Sequence, residues 1–259
     1  MTLSRRDIVA ILGFGALASA GVGVYAIRRA LAARQQIDPT TFCPLNGPVV
    51  GHTALVIDRT DPFTREQARQ LRQLFQKLRG ELAVHELLST FLITAEVPTV
   101  ARPVLSRCNP GDPSSVNEWI DSLRRVQERW RESFGKPIDD LLEELLRAAR
   151  AERSPIIATL RAVAARFDFA SPAPRRLIIF SDMLENMGAI THYGKRPDPD
   201  HLAAQIKVSG TLPELTGVTV EIVYLGNSRD ARFQGPAHLE WWRRFLNAAG
   251  ARSVNVIAL

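Results

Sequence analysis

The chain is poor in the residues that make chemistry easy to recognise. Its two cysteines, Cys43 and Cys108, are too few and too far apart for a zinc knuckle. The five histidines, His52, His85, His192, His201 and His238, include no i/i+4 pair, so no helix-borne zinc site is encoded. A Gly-x-Ser-x-Gly elbow, a Walker loop and a strand-following Gly-x-Gly-x-x-Gly are all missing. Gly13 and Gly15 have a suggestive spacing, but they lie inside an apolar run. Neither an internal repeat nor a low-complexity tract occurs, and 46% hydrophobic with 23% charged residues is ordinary globular composition.

The formal charge of +6 is concentrated at one end. Setting aside Arg5, Arg6, Arg28, Arg29, Arg34 and Asp7 takes the remainder to +2, so the body advertises no nucleic-acid surface. Those arginines flank Ile8 to Ile27, twenty residues without a charge, which is about the length needed to cross a bilayer core as a helix. Residues 1–36 are therefore expected to be a membrane anchor or an export signal. Ser4-Arg5-Arg6 resembles a twin-arginine signal, and Ala30-Leu31-Ala32 offers a cleavage site, whereas Arg28 and Arg29 directly after the apolar run suit a retained single-pass anchor. The expectation is a single-pass protein of a bacterial inner membrane with its domain in the periplasm. The arginines are nearly balanced across the run, so a cytoplasmic orientation stays open. In an exported body Cys43 and Cys108 form one disulfide, and in a cytosolic one they stay free thiols.

Residues 37–52, with three prolines and two glycines, read as a linker. From residue 53 to residue 259 strands and helices alternate. Strands are expected at Thr53–Asp58, Leu87–Thr94, Pro103–Ser106, Leu177–Asp182, Val218–Leu225 and Ser253–Leu259. The first helix is expected to open at Asp61-Pro62 and stop at Gly80, and others to run from Ser154-Pro155 to about Phe167, from His201 to Val208, and from Pro236 to Ala249. A helical insertion at about 112–152, broken near Gly135-Lys136-Pro137, carries apolar stripes through Trp119, Val126, Trp130 and Phe134 and through Ile138, Leu141 and Leu145. Of Trp241-Trp242, one ring is expected to pack inward and the other to cover the domain edge. The fold class is α/β, a mostly parallel sheet with helices on both faces, preceded by a transmembrane helix.

Two strand-ending acids stand out in this pattern. Asp58 closes Thr53-Ala-Leu-Val-Ile-Asp and Asp182 follows Leu177-Ile-Ile-Phe-Ser, so both are expected at the carboxyl edge of the sheet, where open α/β sheets bind ligands. Two carboxylates brought together repel unless a cation or a proton lies between them. Here the chain resembles the von Willebrand factor A domain family, and the resemblance spans most of Thr53 to Leu259. Asp58-Arg-Thr60 matches the start of that family's first metal-binding motif, Ser154 its later hydroxyl and Asp182 its last acid. The resemblance implies a metal-ion-dependent adhesion site in which Asp58, Thr60, Ser154 and Asp182 hold Mg2+, with Mn2+ as a substitute. Pro62 stands where a second hydroxyl belongs, and Asp61 next to it is a candidate replacement. Glu185 is a candidate auxiliary acid, with a solvated loop charge as the plainer role.

The expected function is that of a membrane-tethered interaction module, not an enzyme, binding an acidic group of an unidentified protein partner through the cation. One alternative is a metal-dependent hydrolase of phosphatase type, since an Asp after a first buried strand also opens the haloacid dehalogenase pattern; that pattern wants Asp-x-Asp, and position 60 is Thr. Another is a structural domain whose metal site has decayed, for which Pro62 speaks.

Overall fold

The computed structural model describes residues 36–111, 123–147, 151–166, 173–188 and 190–258. The apolar run at 8–27 lies outside them, as does Trp119 of the helical stripe. Among the described residues no helix is long and apolar enough to cross a membrane.

Strand β1 (His52–Asp58) is buried along its whole length, as a run of β-branched and aliphatic residues between two layers of helices must be. It pairs in parallel with β2 (Leu87–Ile93) on one side and with β4 (Arg175–Ser181) on the other. Outward from β4 follow β7 (Val218–Tyr224) and β8 (Ser253–Ala258), again parallel, while β3 (Leu105–Cys108) closes the far edge antiparallel to β2. The order β3-β2-β1-β4-β7-β8 means that the chain builds outward from β1 in one direction and then from β4 in the other. The seam between β1 and β4 is thus the topological switch point, the place where loops leave in opposite directions and open a crevice. A two-stranded hairpin of β5 (Asn186–Met187) and β6 (Ile190–Thr191) stands beside it.

Alternate strand residues feed two cores. Ala54, Val56, Ile179, Val220 and Ile222 turn to the face covered by α4 (Ile156–Ala164), α5 (Pro199–Val208) and α6 (Pro236–Ala248). Leu55, Ile57, Ile178, Phe180 and Val223 turn to the face covered by α1 (Arg65–Glu81), α2 (Leu123–Trp130) and α3 (Lys136–Leu145). Phe134, Ile138 and Leu145 pack with α1, so the stretch expected as an insertion supplies part of one face's cover. Both tryptophans of the pair are buried, Trp241 at 6% and Trp242 at 0% exposure, which corrects the expectation that one of them covers the domain edge.

Several boundaries also differ from expectation. Helix α1 opens at Thr64, whose side chain takes the Gln67 N–H while Gln67 returns a carbonyl to the Thr64 N–H; this reciprocal cap outcompetes Asp61-Pro62. Gly80 stays inside the helix, which runs on to Glu81. The third strand begins at Leu105 rather than Pro103, because proline has no N–H for the ladder. Gly135 does not break its helix; a π-turn at Arg131–Gly135 joins α2 to α3 and absorbs Pro137 in the first turn of α3. Helix α4 starts at Ile156 without a cap from its own N-cap residue, Pro155, and Ser154 stands outside the helix.

Residues 36–51 pack at the amino edge. There Cys43 and Cys108 are disulfide-bonded, and Cys108 N–H donates to the Thr41 carbonyl.

Candidate functional site

At the carboxyl end of the switch point, Asp58 is almost wholly buried, at 6% exposure, and both of its oxygens are engaged. Oδ1 accepts from the Thr60 N–H at 3.0 Å and the Thr60 hydroxyl at 2.7 Å. Oδ2 accepts from the Ser181 hydroxyl at 2.7 Å and, at the longer 3.4 Å, from Ser154. Residues from three chain segments therefore converge on one carboxylate. Ser154 is brought there by a bridge to Asn186, each backbone N–H donating to the other residue's carbonyl. Ser181 was not among the expected site residues, although a polar residue at the end of the apolar run Leu-Ile-Ile-Phe was its signal.

Asp182 leaves the sheet one residue after β4. Oδ1 accepts from the Leu184 N–H at 3.0 Å and Oδ2 from the Asn227 side-chain amide at 2.9 Å. Gln234 donates to both the Asp182 carbonyl and the Leu225 carbonyl, tying the loop after β7 down over the acid. Nothing local in the sequence marks Asn227 or Gln234, because their partner lies some fifty residues upstream.

Burial is the first cause that pushes the Asp182 carboxyl up to about 7, and the charge of Asp58 is the second. Asp58 is raised as well, chiefly by burial, against the lowering effect of its Thr60 and Ser181 hydrogen bonds. Two buried acids at one cavity, both raised and one of them partly by the other's charge, call for a positive charge or a shared proton. No arginine or lysine supplies one: among the described residues neither Asp58 nor Asp182 has a cationic side chain within ion-pair distance.

A cavity of about 240 Å³ opens in front of the pair, walled by Asp58, Thr60, Asp61, Pro62, Asp182 and Asn227. Pro62 presents an apolar ring where the family pattern has a hydroxyl. Asp61 lines the same cavity and leans toward Arg229, with Oδ1 3.9 Å from Nη1. Glu185 lies elsewhere and is not a solvated loop charge: it is 1% exposed, and Oε2 accepts the Ile157 N–H at 2.8 Å, capping α4. Burial pushes its carboxyl up to about 8. Among the described residues no group of three or more His, Cys, Asp or Glu side chains is placed to hold a metal ion. A cation here would rest on two carboxylates supplemented by hydroxyls and water.

No protein-family profile matches the chain, and no curated protein does. Solved structures with a similar course of chain include a von Willebrand factor type A protein from Catenulispora acidiphila, the family that the sequence resembles. It is 16% identical, with 81% of this chain and 39% of that one covered and a TM-score of 0.44. An aerotolerance-related membrane protein from Bacteroides fragilis NCTC 9343 is 9% identical, covering 80% and 92% of the two chains at a TM-score of 0.39. The conserved hypothetical protein BatB from Bacteroides thetaiotaomicron is 10% identical, covering 82% and 90% at 0.43.

Proposed function

We propose that this chain is a membrane-tethered interaction module that holds a divalent cation at Asp58 and Asp182 and uses it to capture an acidic group of a partner protein. The observation that carries this reading is the pair itself. Two carboxylates with raised proton affinity share a cavity at the switch point, with the Thr60, Ser154 and Ser181 hydroxyls on Asp58, and the arginine in the cavity wall, Arg229, faces Asp61 instead of either of them. Hard oxygen donors of this kind suit magnesium, with manganese as a substitute. Asp58, Thr60, Ser154 and Asp182 are the proposed ligands. The cation supplies an electrophilic centre for an incoming carboxylate, and Pro62 leaves one position to water.

The tether suits the same role. Residues 36–51 join the domain at the amino edge, so the cavity opens at the opposite end of the strands from the chain that leads to the apolar run at 8–27. A disulfide between Cys43 and Cys108 favours an oxidising compartment, and hence the periplasmic side of a bacterial inner membrane.

A second reading has an observation of its own. Both oxygens of Asp58 are already satisfied by hydroxyls, so a protonated Asp58/Asp182 pair would close the site without metal and leave a structural domain. Calorimetric titration of the full chain with magnesium and with manganese separates the two. The cation reading expects saturable binding that weakens by more than about 100-fold in Asp58→Ala and in Asp182→Ala. Absence of binding by the wild type to either ion leaves the structural reading.

A further inference from the structure

Asp182 is followed by the most constrained turn at the site. Met183 has φ of 61°, a left-handed conformation that a side chain of its size adopts only when its surroundings hold it there. Its side chain is fully buried, and its N–H donates to the Ser181 hydroxyl at 2.8 Å, the same hydroxyl that donates to Asp58. The next amide, Leu184, donates to Asp182 Oδ1. The left-handed residue therefore sits between the two hydrogen bonds that orient Ser181 and Asp182.

What holds it is a cluster behind the site, assembled from residues far apart in sequence. The Met183 carbonyl accepts from Trp242 Nε1 at 2.8 Å, with His238 Nε2 at 3.0 Å and His192 Nδ1 at 3.3 Å from the same oxygen. All three side chains are 0% exposed. Indole nitrogen only donates, so the Trp242 bond has a fixed direction. The imidazoles are chained: Tyr224 hydroxyl to His238 Nδ1 at 2.8 Å, and His238 Nε2 to His192 Nδ1 at 2.9 Å. The Glu185 N–H also donates to the Met183 carbonyl at 3.1 Å, and an imidazole proton facing that oxygen is shared with the ring-to-ring contact, so Trp242 is the side chain whose donation to it has a fixed direction.

We propose that Trp242, with His238 and His192, is a positioning clamp that fixes the left-handed Met183 turn and thereby aims Asp182 and Ser181 at the cavity. Trp242 acts through Met183 and touches neither the cavity nor a cation. The consequence for binding rests on the cation reading given above, whereas the consequence for the turn does not.

The test compares Trp242→Phe with Trp241→Phe in the full chain. Trp241 Nε1 donates to the Pro197 carbonyl instead, so its variant loses the same chemical group from the same helix while an aromatic ring is kept against His192 and Trp242 and no donor to Met183 is removed. Amide hydrogen exchange is expected to quicken by at least about tenfold at Met183 and Leu184 in Trp242→Phe, with β1 and β4 amides unchanged, and Trp241→Phe to leave the turn as it is. Magnesium affinity is expected to fall about tenfold in Trp242→Phe only. His238→Gln, which keeps a side-chain N–H, should disturb the turn less than His238→Ala. Unchanged exchange at Met183 and Leu184, acceleration spread evenly over the strands, or an equal effect of Trp241→Phe overturns the clamp. A wild type that binds no magnesium sinks the cation reading, and the exchange result then decides the clamp alone.

Discussion

The two ends of the same strands are built on opposite principles. At the amino end the charged groups near the sheet are paired with complements. Thr53 donates to Glu86 at 2.7 Å, His52 Nε2 lies 3.0 Å from the Ser89 hydroxyl, and Arg176 makes a two-pronged contact with Glu221 at 2.7 and 2.9 Å. At the carboxyl end, one strand-length away, Asp58 and Asp182 face a cavity with hydroxyls and amides but, among the described residues, no ion-pair partner of their own, since Arg229 in its wall faces Asp61, and Met183 is held in a left-handed turn. Satisfied pairs hold a fold together, whereas like charges left to face each other raise its free energy and are retained at sites that take a ligand. On the proposed reading, stability belongs to one edge and binding to the other.

The largest expected effect lies at the amino edge. The Cys43–Cys108 disulfide joins residues 65 apart in sequence, and the loop-entropy account gives such a crosslink about 4 kcal/mol. Replacing both cysteines with alanine is expected to lower the denaturation midpoint accordingly, in urea melts of the full chain, while magnesium affinity stays within about twofold of wild type. A comparable loss of affinity would erase the division between the edges.

Much of the amino edge and the sheet was legible in the sequence, because burial on both faces writes itself as uninterrupted apolar runs such as Ala54-Leu-Val-Ile57 and Leu177-Ile-Ile-Phe180. Asp58 and Asp182 were legible as the first acids after those runs. The rest of the site was not, for a common reason: its contacts are long-range. Asn227 reaches Asp182 across 45 residues, and His238 meets His192 across 46, with no spacing rule to connect them. Glu185 looked like a solvated loop acid because nothing in Met183-Leu184-Glu185 announces that the loop folds back against the start of α4. Local competition explains the misplaced start of α1, where Thr64-x-x-Gln67 and Asp61-Pro62 are both good opening signals and only the reciprocal cap satisfies two backbone amides.

The next effect comes from pH and sharpens the contrast within the carboxyl half. Asp182 and Glu185 have folded values of about 7 and about 8, above their unfolded values, so their contribution is whole below about pH 4 and is lost as pH rises through 7 to 8. The buried histidines act oppositely. Burial lowers His192 to about 3 and His238 to about 4, so their contribution is whole above about 6.5 and is lost as pH falls from there toward 4. Between pH 4 and 6.5 the two trends oppose each other, and above 6.5 only the acids remain. Stability without metal is therefore expected to fall by about 2–3 kcal/mol from pH 6.5 to 8.5. Magnesium, by taking the place of the proton at Asp182, should remove that residue's share and leave the share of Glu185, and Asp182→Asn should do the same without magnesium. Urea melts across this range, with and without the ion, check it; stability that rises with pH above 6.5 would contradict the charge arrangement.

The smallest effects test whether the amino edge is as neutral toward binding as its geometry implies. Arg176 and Glu221 are largely buried, with side-chain exposures of 24% and 16%, and Nη1 of the same arginine reaches Glu81 at 3.0 Å. Arg176→Ala removes the partner of a carboxylate that stays inside, and the cost is about 2 kcal/mol, below the 3–5 typical of a fully buried pair because water still reaches this one. Glu81 is 41% exposed, and its loss returns Arg176 to Glu221 alone. Glu81→Gln is then expected to cost no more than about 0.5 kcal/mol, as exposed ion pairs do. Both variants should bind magnesium as the wild type does. The ratio of the two costs carries the point: it is set by how far each acid is withdrawn from water. Equal costs would mean that Glu221 is better solvated than its 16% exposure allows.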